Sequence, residues 1–182
     1  MTRISQGEQF PNFSFHTADG QDLNVSDVLH GKTVFWVLRY IGCTVCRLDV
    51  QMIKERYDEF KDKNAQVFVV MQSDPGHVQN DLKATDTVLP FSIITDPEQK
   101  IYNLLSIESA ESMEAMVGNG MDALKEKAKK AGDYGYSHGD YEGNEQQLPA
   151  LFIVDEDGTA AYVHYANTIM DMPGIDEVLA LL

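Results

Sequence analysis

The chain reads as an α/β protein, a sheet buried on both faces between layers of helices. Two runs carry that reading, Val34-Phe35-Trp36-Val37-Leu38 and Val67-Phe68-Val69-Val70-Met71, both apolar without alternation, as strands covered on both sides are. Segments with helical spacing of apolar residues separate the runs, and the alternation of buried strand and helix is that of a layered sheet.

Phe10, Phe13 and Phe15 with Pro11 suggest an extended entry segment, and Ala18-Asp19-Gly20-Gln21 supplies a turn. A short strand through Leu23 and Val25 leads to a brief helix from Ser26-Asp27, ended by His30-Gly31. The central strand is expected from Thr33 to Tyr40. Val45, Leu48, Met52, Ile53 and Tyr57 then recur at helical spacing, with Phe60 close behind. A strand over Gln66 to Met71, a turn at Ser73-Asp74-Pro75-Gly76, a helix from near His77 and a strand from Leu89 to Asp96 follow. Pro97 suits a first helical turn, with that helix running to about Leu105.

The rhythm breaks at about 106–147, which reads as a helical and loop insertion. Met113, Val117, Met121, Leu124 and Ala128 form an apolar stripe read mainly as adaptable core, and Gly118-Asn119-Gly120 marks a kink or a helix-turn-helix. Gly132 to Asn144 has the composition of a long loop that could lie over a site as a lid. The pattern resumes with Leu148 to Asp155, a hairpin turn at Glu156-Asp157-Gly158-Thr159, a strand from Ala161 to Tyr165 and a last helix from about Gly174 to Leu182.

The length of 182 residues suits a single domain over 1–182. A formal net charge of −15 argues against nucleic acid or an anionic membrane surface as partner. No apolar segment follows the lone Arg3, so a cytoplasmic protein without a membrane partner is expected.

The two cysteines stand three positions apart, in Cys43-Thr44-Val45-Cys46, at the junction between the central strand and the strongest helix. A thiolate at a helix start is favoured by unpaired N–H groups and the positive end of the helix dipole, and a second thiol one turn on can close a disulfide with it. Cys43 is therefore expected to attack from an exposed helix start, and Cys46 to resolve. Arg47 is either the cation that assists Cys43 or a solvent-facing helix residue. Arg39 is mainly expected as a salt-bridged rim residue, with a peroxide-orienting group as the other reading. The five histidines are scattered in sequence, and none is assigned a catalytic part.

In its order of parts the chain resembles the thioredoxin fold, and more closely its redoxin branch, the peroxiredoxin-like proteins of the alkyl hydroperoxide reductase and thiol-specific antioxidant family. Phe10-Pro11-Asn12-Phe13, Ala18-Asp19-Gly20, Val25-Ser26-Asp27 and Gly31-Lys32 are similar to that branch's N-terminal region. Cys43 to Cys46 takes its active-site position, and Pro149 to Gly158 is similar to its proline strand and hairpin. The resemblance implies a three-layer α/β/α sandwich with the helical insertion placed before a cis-proline strand. It also implies that Leu148-Pro149 lies across from the dithiol and offers backbone groups to an extended thiol substrate.

The departures from the family pattern are specific. In a P-x-x-x-[TS]-x-x-C frame with Cys46 as peroxidatic cysteine, Cys43 falls on the Thr position and Arg39 on the Pro position, while Pro149 stands where the later strand would carry an Arg. Thioredoxins bury a carboxylate where this chain has Val37 and have Gly-Pro where it has Thr44-Val45, which leaves the second thiol without an obvious base.

These readings make the chain a thiol–disulfide oxidoreductase with an antioxidant role, able to reduce peroxides through a sulfenic acid. Cys43 and Cys46 carry the chemistry, with Leu148, Pro149, Arg47, Arg39 and Thr44 as the substrate-positioning set. No cofactor or metal is expected beyond a Cys43–Cys46 disulfide. The expected partners are a thioredoxin or small-thiol reductant and a disulfide or peroxide substrate; the oligomeric state stays open, a dimer included. Two other classes stand beside this one, a redox-gated interaction protein with little turnover and a module holding a soft ion such as Cu(I) between two thiolates.

Overall fold

The computed structural model describes residues 2–182 and places a seven-stranded mixed sheet between two helical layers. In chain order the elements are β1 (Ser14–Thr17), β2 (Asp22–Asn24), α1 (Val25–Val28), β3 (Lys32–Val37), α2 (Thr44–Glu55), α3 (Tyr57–Asp62), β4 (Ala65–Met71) and α4 (Pro75–Ala84). There follow β5 (Ser92–Thr95), α5 (Lys100–Leu104), α6 (Met113–Val117), α7 (Met121–Asp133), β6 (Ala150–Val154), β7 (Ala160–Tyr165) and α8 (Ile175–Leu181).

The strand order is β2-β1-β5-β4-β3-β6-β7, with β3, β4 and β5 parallel and the remaining pairings antiparallel. β3 is flanked on both sides, so all its N–H and C=O groups can enter the ladder while both faces are packed. Val34 and Trp36 face α2, α3, α4 and α8, whereas Phe35 and Val37 face α1, α5 and the N-terminal phenylalanines Phe10 and Phe15. Trp36 is buried under α2, and its indole N–H has no partner among the described residues.

The central strand is shorter than its apolar run. Pairing stops at Val37, and Leu38 to Gly42 form an irregular connection fixed by long-range bonds. Leu38 N–H donates to Val70 O at 2.9 Å, Gln72 N–H donates to Arg39 O at 2.8 Å, and the buried Tyr102 hydroxyl of α5 donates to Leu38 O at 2.7 Å. The chain therefore leaves the sheet in one defined direction, straight into α2.

Two expected elements differ. The helix after β5 begins at Lys100, not at Pro97, because Asp96 accepts the N–H groups of Lys100 at 2.9 Å and Ile101 at 2.7 Å, and Gln99 adopts a left-handed φ of 56° that ends the preceding turn. The methionine stripe does not form one core face. The turn at Gly118–Gly120 resets the helical phase, so Met113 and Met121 are 47 % and 48 % exposed while Met116, outside the stripe, packs with Val117, Leu148 and Ile169.

Gly31 immediately precedes β3 with φ +60, and a Cβ there would stand 2.1 Å from Asn64 O, the acceptor of the Lys32 N–H. Gly31→Ala is expected to destabilise the fold by about 1–3 kcal/mol, the range for a residue held in such a conformation. A lower urea midpoint with an unchanged m-value would show it; an unshifted midpoint would refute it.

Candidate active site

Cys43 is the N-cap of α2, in extended conformation with φ −72° and ψ 115°, and its own carbonyl accepts the first helical N–H, that of Arg47, at 2.9 Å. Its side chain thereby stands at the end of the helix where the first-turn N–H groups are open, without a side-chain cap hydrogen bond. Cys46 follows one turn inside. The two thiols are near each other and unlinked, and both are buried, with residue exposures of 2 % for Cys43 and 4 % for Cys46. Cys43 was expected at an exposed helix start; the segment 136–145 covers it instead.

The sulfur environment is polarised. The side-chain hydrogen bond from Cys46 pulls the Cys43 thiol down to about 7 against its own burial, helped by the Arg39 cation and the Cys46 backbone N–H. Cys46 moves the other way: burial, and then the charge on Cys43, push it well above its ordinary value. The pair divides into a ready thiolate and a reluctant proton donor.

Arg39 supplies the cation. Its Nη1 stands 3.5 Å from Cys43 Sγ, its Nη2 donates to the Glu145 carbonyl, and its guanidinium lies 5.1 Å from the Tyr40 ring centroid. Its Nε has no partner among the described residues. The expected rim ion pair is thus replaced by a buried contact with sulfur, because the turn after β3 aims residue 39 inward.

Arg47 does not reach the sulfurs. It is 2 % exposed, and its Nε pairs with Asp81 of α4 at 2.7 Å while Nη2 donates to Thr85 Oγ1 at 2.9 Å and Thr87 Oγ1 at 2.8 Å, under the Tyr136 ring. It braces α2 against α4, so neither of its expected roles is met. Thr44 is the first residue of α2 and half-buried.

Leu148 and Pro149 also sit differently from the expectation. No cis peptide bond occurs among the described residues, so the Leu148–Pro149 bond is trans. The backbone groups that were to meet a substrate are engaged: Leu148 N–H donates to Glu108 O at 3.2 Å, Leu148 O accepts from Gln147 Nε2 at 3.2 Å, and Pro149 O accepts from Ala166 N–H at 3.1 Å. That strand start is committed to its own sheet and to the insertion.

The lid is the part that sequence spacing missed in detail. Gly139 N–H donates to Gly42 O at 2.9 Å, and a Cβ on Gly42 would lie 2.5 Å from Asp140 O. His138 Nδ1 donates to Gly139 O at 2.7 Å, leaving Nε2 to accept the Tyr40 hydroxyl at 3.1 Å, and Tyr141 packs beside both rings. Glu142 accepts from Ser73 Oγ at 2.7 Å and Asp74 N–H at 2.9 Å and pairs with His77 at 2.6 Å, while Gln72 makes two bonds to the Asn144 backbone. His138 and His77, unassigned from the sequence, thus both hold the lid. Only the Gly/Tyr-rich composition pointed there.

A thiol at the N-cap of a helix, a second thiol inside it and a buried arginine at a strand-to-helix turn make an arrangement suited to sulfur redox chemistry. Residues 6–163 match the family model described as the AhpC/TSA family, and the chain belongs to that family. It is accordingly a thiol-dependent oxidoreductase. The chain is 27 % identical over 105 residues to "Putative peroxiredoxin bcp" of Helicobacter pylori, a match that spans 57 % of this chain and 67 % of that protein. In fold it is similar to a peroxiredoxin-like protein from Aquifex aeolicus, with TM-score 0.69, 16 % identity and coverage of 100 % of this chain and 90 % of that one. The yeast mitochondrial 1-Cys peroxiredoxin is similar too, with TM-score 0.67 and 15 % identity over 97 % of this chain and 73 % of that one. Among the described residues no helix is long and apolar enough to cross a membrane, and no group of three or more His, Cys, Asp or Glu side chains could hold a metal ion.

Two outcomes are expected. Arg39→Met removes the cation beside Cys43 and should raise its titration midpoint by about one unit, the low end for an opposite charge in contact, whereas Arg47→Met should leave the midpoint in place and lower thermal stability. Thiolate absorbance against pH reads the first effect, and equal midpoints in the wild type and Arg39→Met would contradict it. Gly42→Ala should lift the lid and speed alkylation of Cys43 by iodoacetamide; an unchanged rate would show that the lid does not limit access.

Proposed function

We propose that the protein is a dithiol peroxidase in which Cys43 reduces a hydroperoxide and Cys46 resolves the product. The observation that carries this reading is the Arg39 guanidinium against the Cys43 sulfur under the lid. A small peroxide between the two would meet a nucleophile and a fixed positive charge together.

The Cys43 thiolate attacks one peroxide oxygen, the O–O bond breaks, and the second oxygen leaves as an alcohol or water after taking a proton. Cys43 gains the oxygen as a sulfenic acid, oxidised by two electrons. Arg39 stabilises the charge that develops on the leaving oxygen, and its unpartnered Nε is a further donor. Cys46 then displaces hydroxide from Cys43 to give the disulfide. A thioredoxin or a small thiol returns both sulfurs to the reduced state. The committed backbone at Leu148 and Pro149 and the closed lid favour a small oxidant over an extended disulfide substrate.

The sign of the pH dependence follows from Cys43. With its thiol lowered to about 7 from 9.0, the reactive form is lost as pH falls below that midpoint, so peroxide reduction should rise through neutrality and level off above it. Consumption of hydrogen peroxide with a dithiol reductant tests the reading. Cys43→Ser should abolish turnover, and Cys46→Ser should retain one turnover and keep the sulfenic acid. Reduction of insulin disulfides without peroxide consumption would establish disulfide exchange instead.

A further inference from the structure

Before Cys46 can attack Cys43 it must lose a proton that burial holds firmly. The lid covers the front of the site, where peroxide enters and hydroxide leaves, so a separate path for the proton would keep the two from competing. The back of α2 offers one. Asp49 lies at i+3 from Cys46, where helical side chains are neighbours with Cβ atoms ~5–6 Å apart. Its carboxylate pairs with Lys127 of α7 at 2.6 Å, and both side chains are 23 % exposed, so the pair is shielded without being sealed.

Asp49 and Lys127 line two hollows, of about 520 and 540 Å³, along the contact between α2 and α7. Glu55 of α2, Arg56 just after it, Lys130 of α7, and Asp176 and Glu177 of α8 complete the charged wall of the first; Glu126, Lys129 and Asp133 of α7 face the second. On the inner side the Asp49 charge acts through space on Cys43 and Cys46 and opposes the ionisation of both. Asp49 is therefore a carboxylate that lies about one helical turn from a buried thiol and lines open space.

We propose that Asp49, positioned by Lys127, accepts the Cys46 proton in the resolving step and releases it to the hollow behind α2. The proposal rests on the Cys43-first reading above. Cys46 S–H gives its proton to the Asp49 carboxylate, and the Cys46 sulfur attacks the Cys43 sulfur. The new S–S bond replaces the S–O bond, and hydroxide leaves and takes a proton from solvent to become water. Asp49 then passes its proton to the hollow. The peroxide has already taken both electrons, so no further oxidant is needed. Conversion of the Cys43 thiolate to a neutral sulfenic acid removes the charge that held the proton on Cys46, which gives the transfer its order. Burial shifts Asp49 upward, against the pull of Lys127, and so toward a better acceptor than an exposed carboxylate.

Reduced protein mixed with one equivalent of hydrogen peroxide between pH 5 and 9 tests the proposal, with dimedone-trapped Cys43 sulfenic acid and the Cys43–Cys46 disulfide followed by mass spectrometry. Asp49→Asn keeps the shape and should slow disulfide formation about a hundredfold, the low end of what a positioned proton acceptor contributes. Sulfenic acid should then accumulate, its formation not slowed, because loss of the Asp49 charge only eases ionisation of Cys43. Lys127→Met removes a cation that favours ionised Asp49, so the inflexion in the resolving rate should move to higher pH, while Lys130→Met on the same wall should leave it in place. A wild-type resolving rate and pH profile in Asp49→Asn overturns the proposal. Should that variant fail to fold, an unshifted inflexion in Lys127→Met overturns it instead. Absence of sulfenic acid on Cys43 in the wild type is a different failure, that of the Cys43-first reading.

Discussion

A negative charge shut away from water persists only where the protein solvates it, and the Cys43 sulfur imposes that requirement on everything around it. Its partners come from three places: the thiol and N–H of Cys46 along α2, the helix start itself, and Arg39 from the turn before it. None of these would converge without the exit geometry of β3. The Tyr102 hydroxyl and the Gln72 N–H hold the first carbonyls of that connection, so the direction of Arg39 is decided by groups on α5 and just after β4.

Burial of the sulfurs also explains how the lid is built. A loop that excludes water must satisfy its own polar groups, and this one does so by landing on the carboxyl ends of the central strands. Gln72 takes both backbone groups of Asn144, and Glu142 receives the hydroxyl of Ser73 and the N–H of Asp74. The backbone approach at Gly42 tolerates no side chain. Lid and dithiol are therefore one unit: Arg39 binds the sulfur with one nitrogen and the lid carbonyl of Glu145 with another.

What could be read from the sequence was local. The unbroken apolar runs marked β3 and β4, the 3.6-residue period marked α2, and the cysteine spacing at their junction pointed to the candidate site. The two arginines show where such reading stops. Arg47 is nearest to Cys43 along the helix and Arg39 lies on the strand side, yet the partners that decide between them, Asp81, Thr85 and Glu145, are 34 to 106 residues away in sequence. Periodicity carries no information on such contacts. The methionine stripe failed for a related reason: a period counted across Gly118–Gly120 assumes one helix, and the turn there starts a second phase. The glycine- and tyrosine-rich loop announced itself by composition, but its landing points depend on the folded sheet.

Trp36 is the sole tryptophan in the chain, and it lies in the strand that feeds the dithiol, beneath α2 and on the wall it shares with Asp49 and Lys127. With its indole N–H uncommitted, its fluorescence answers to the polarity and motion of that layer alone. The molecule therefore carries a built-in optical gauge of the layer beneath the two thiols, one that would report shifts of α2 with no label attached.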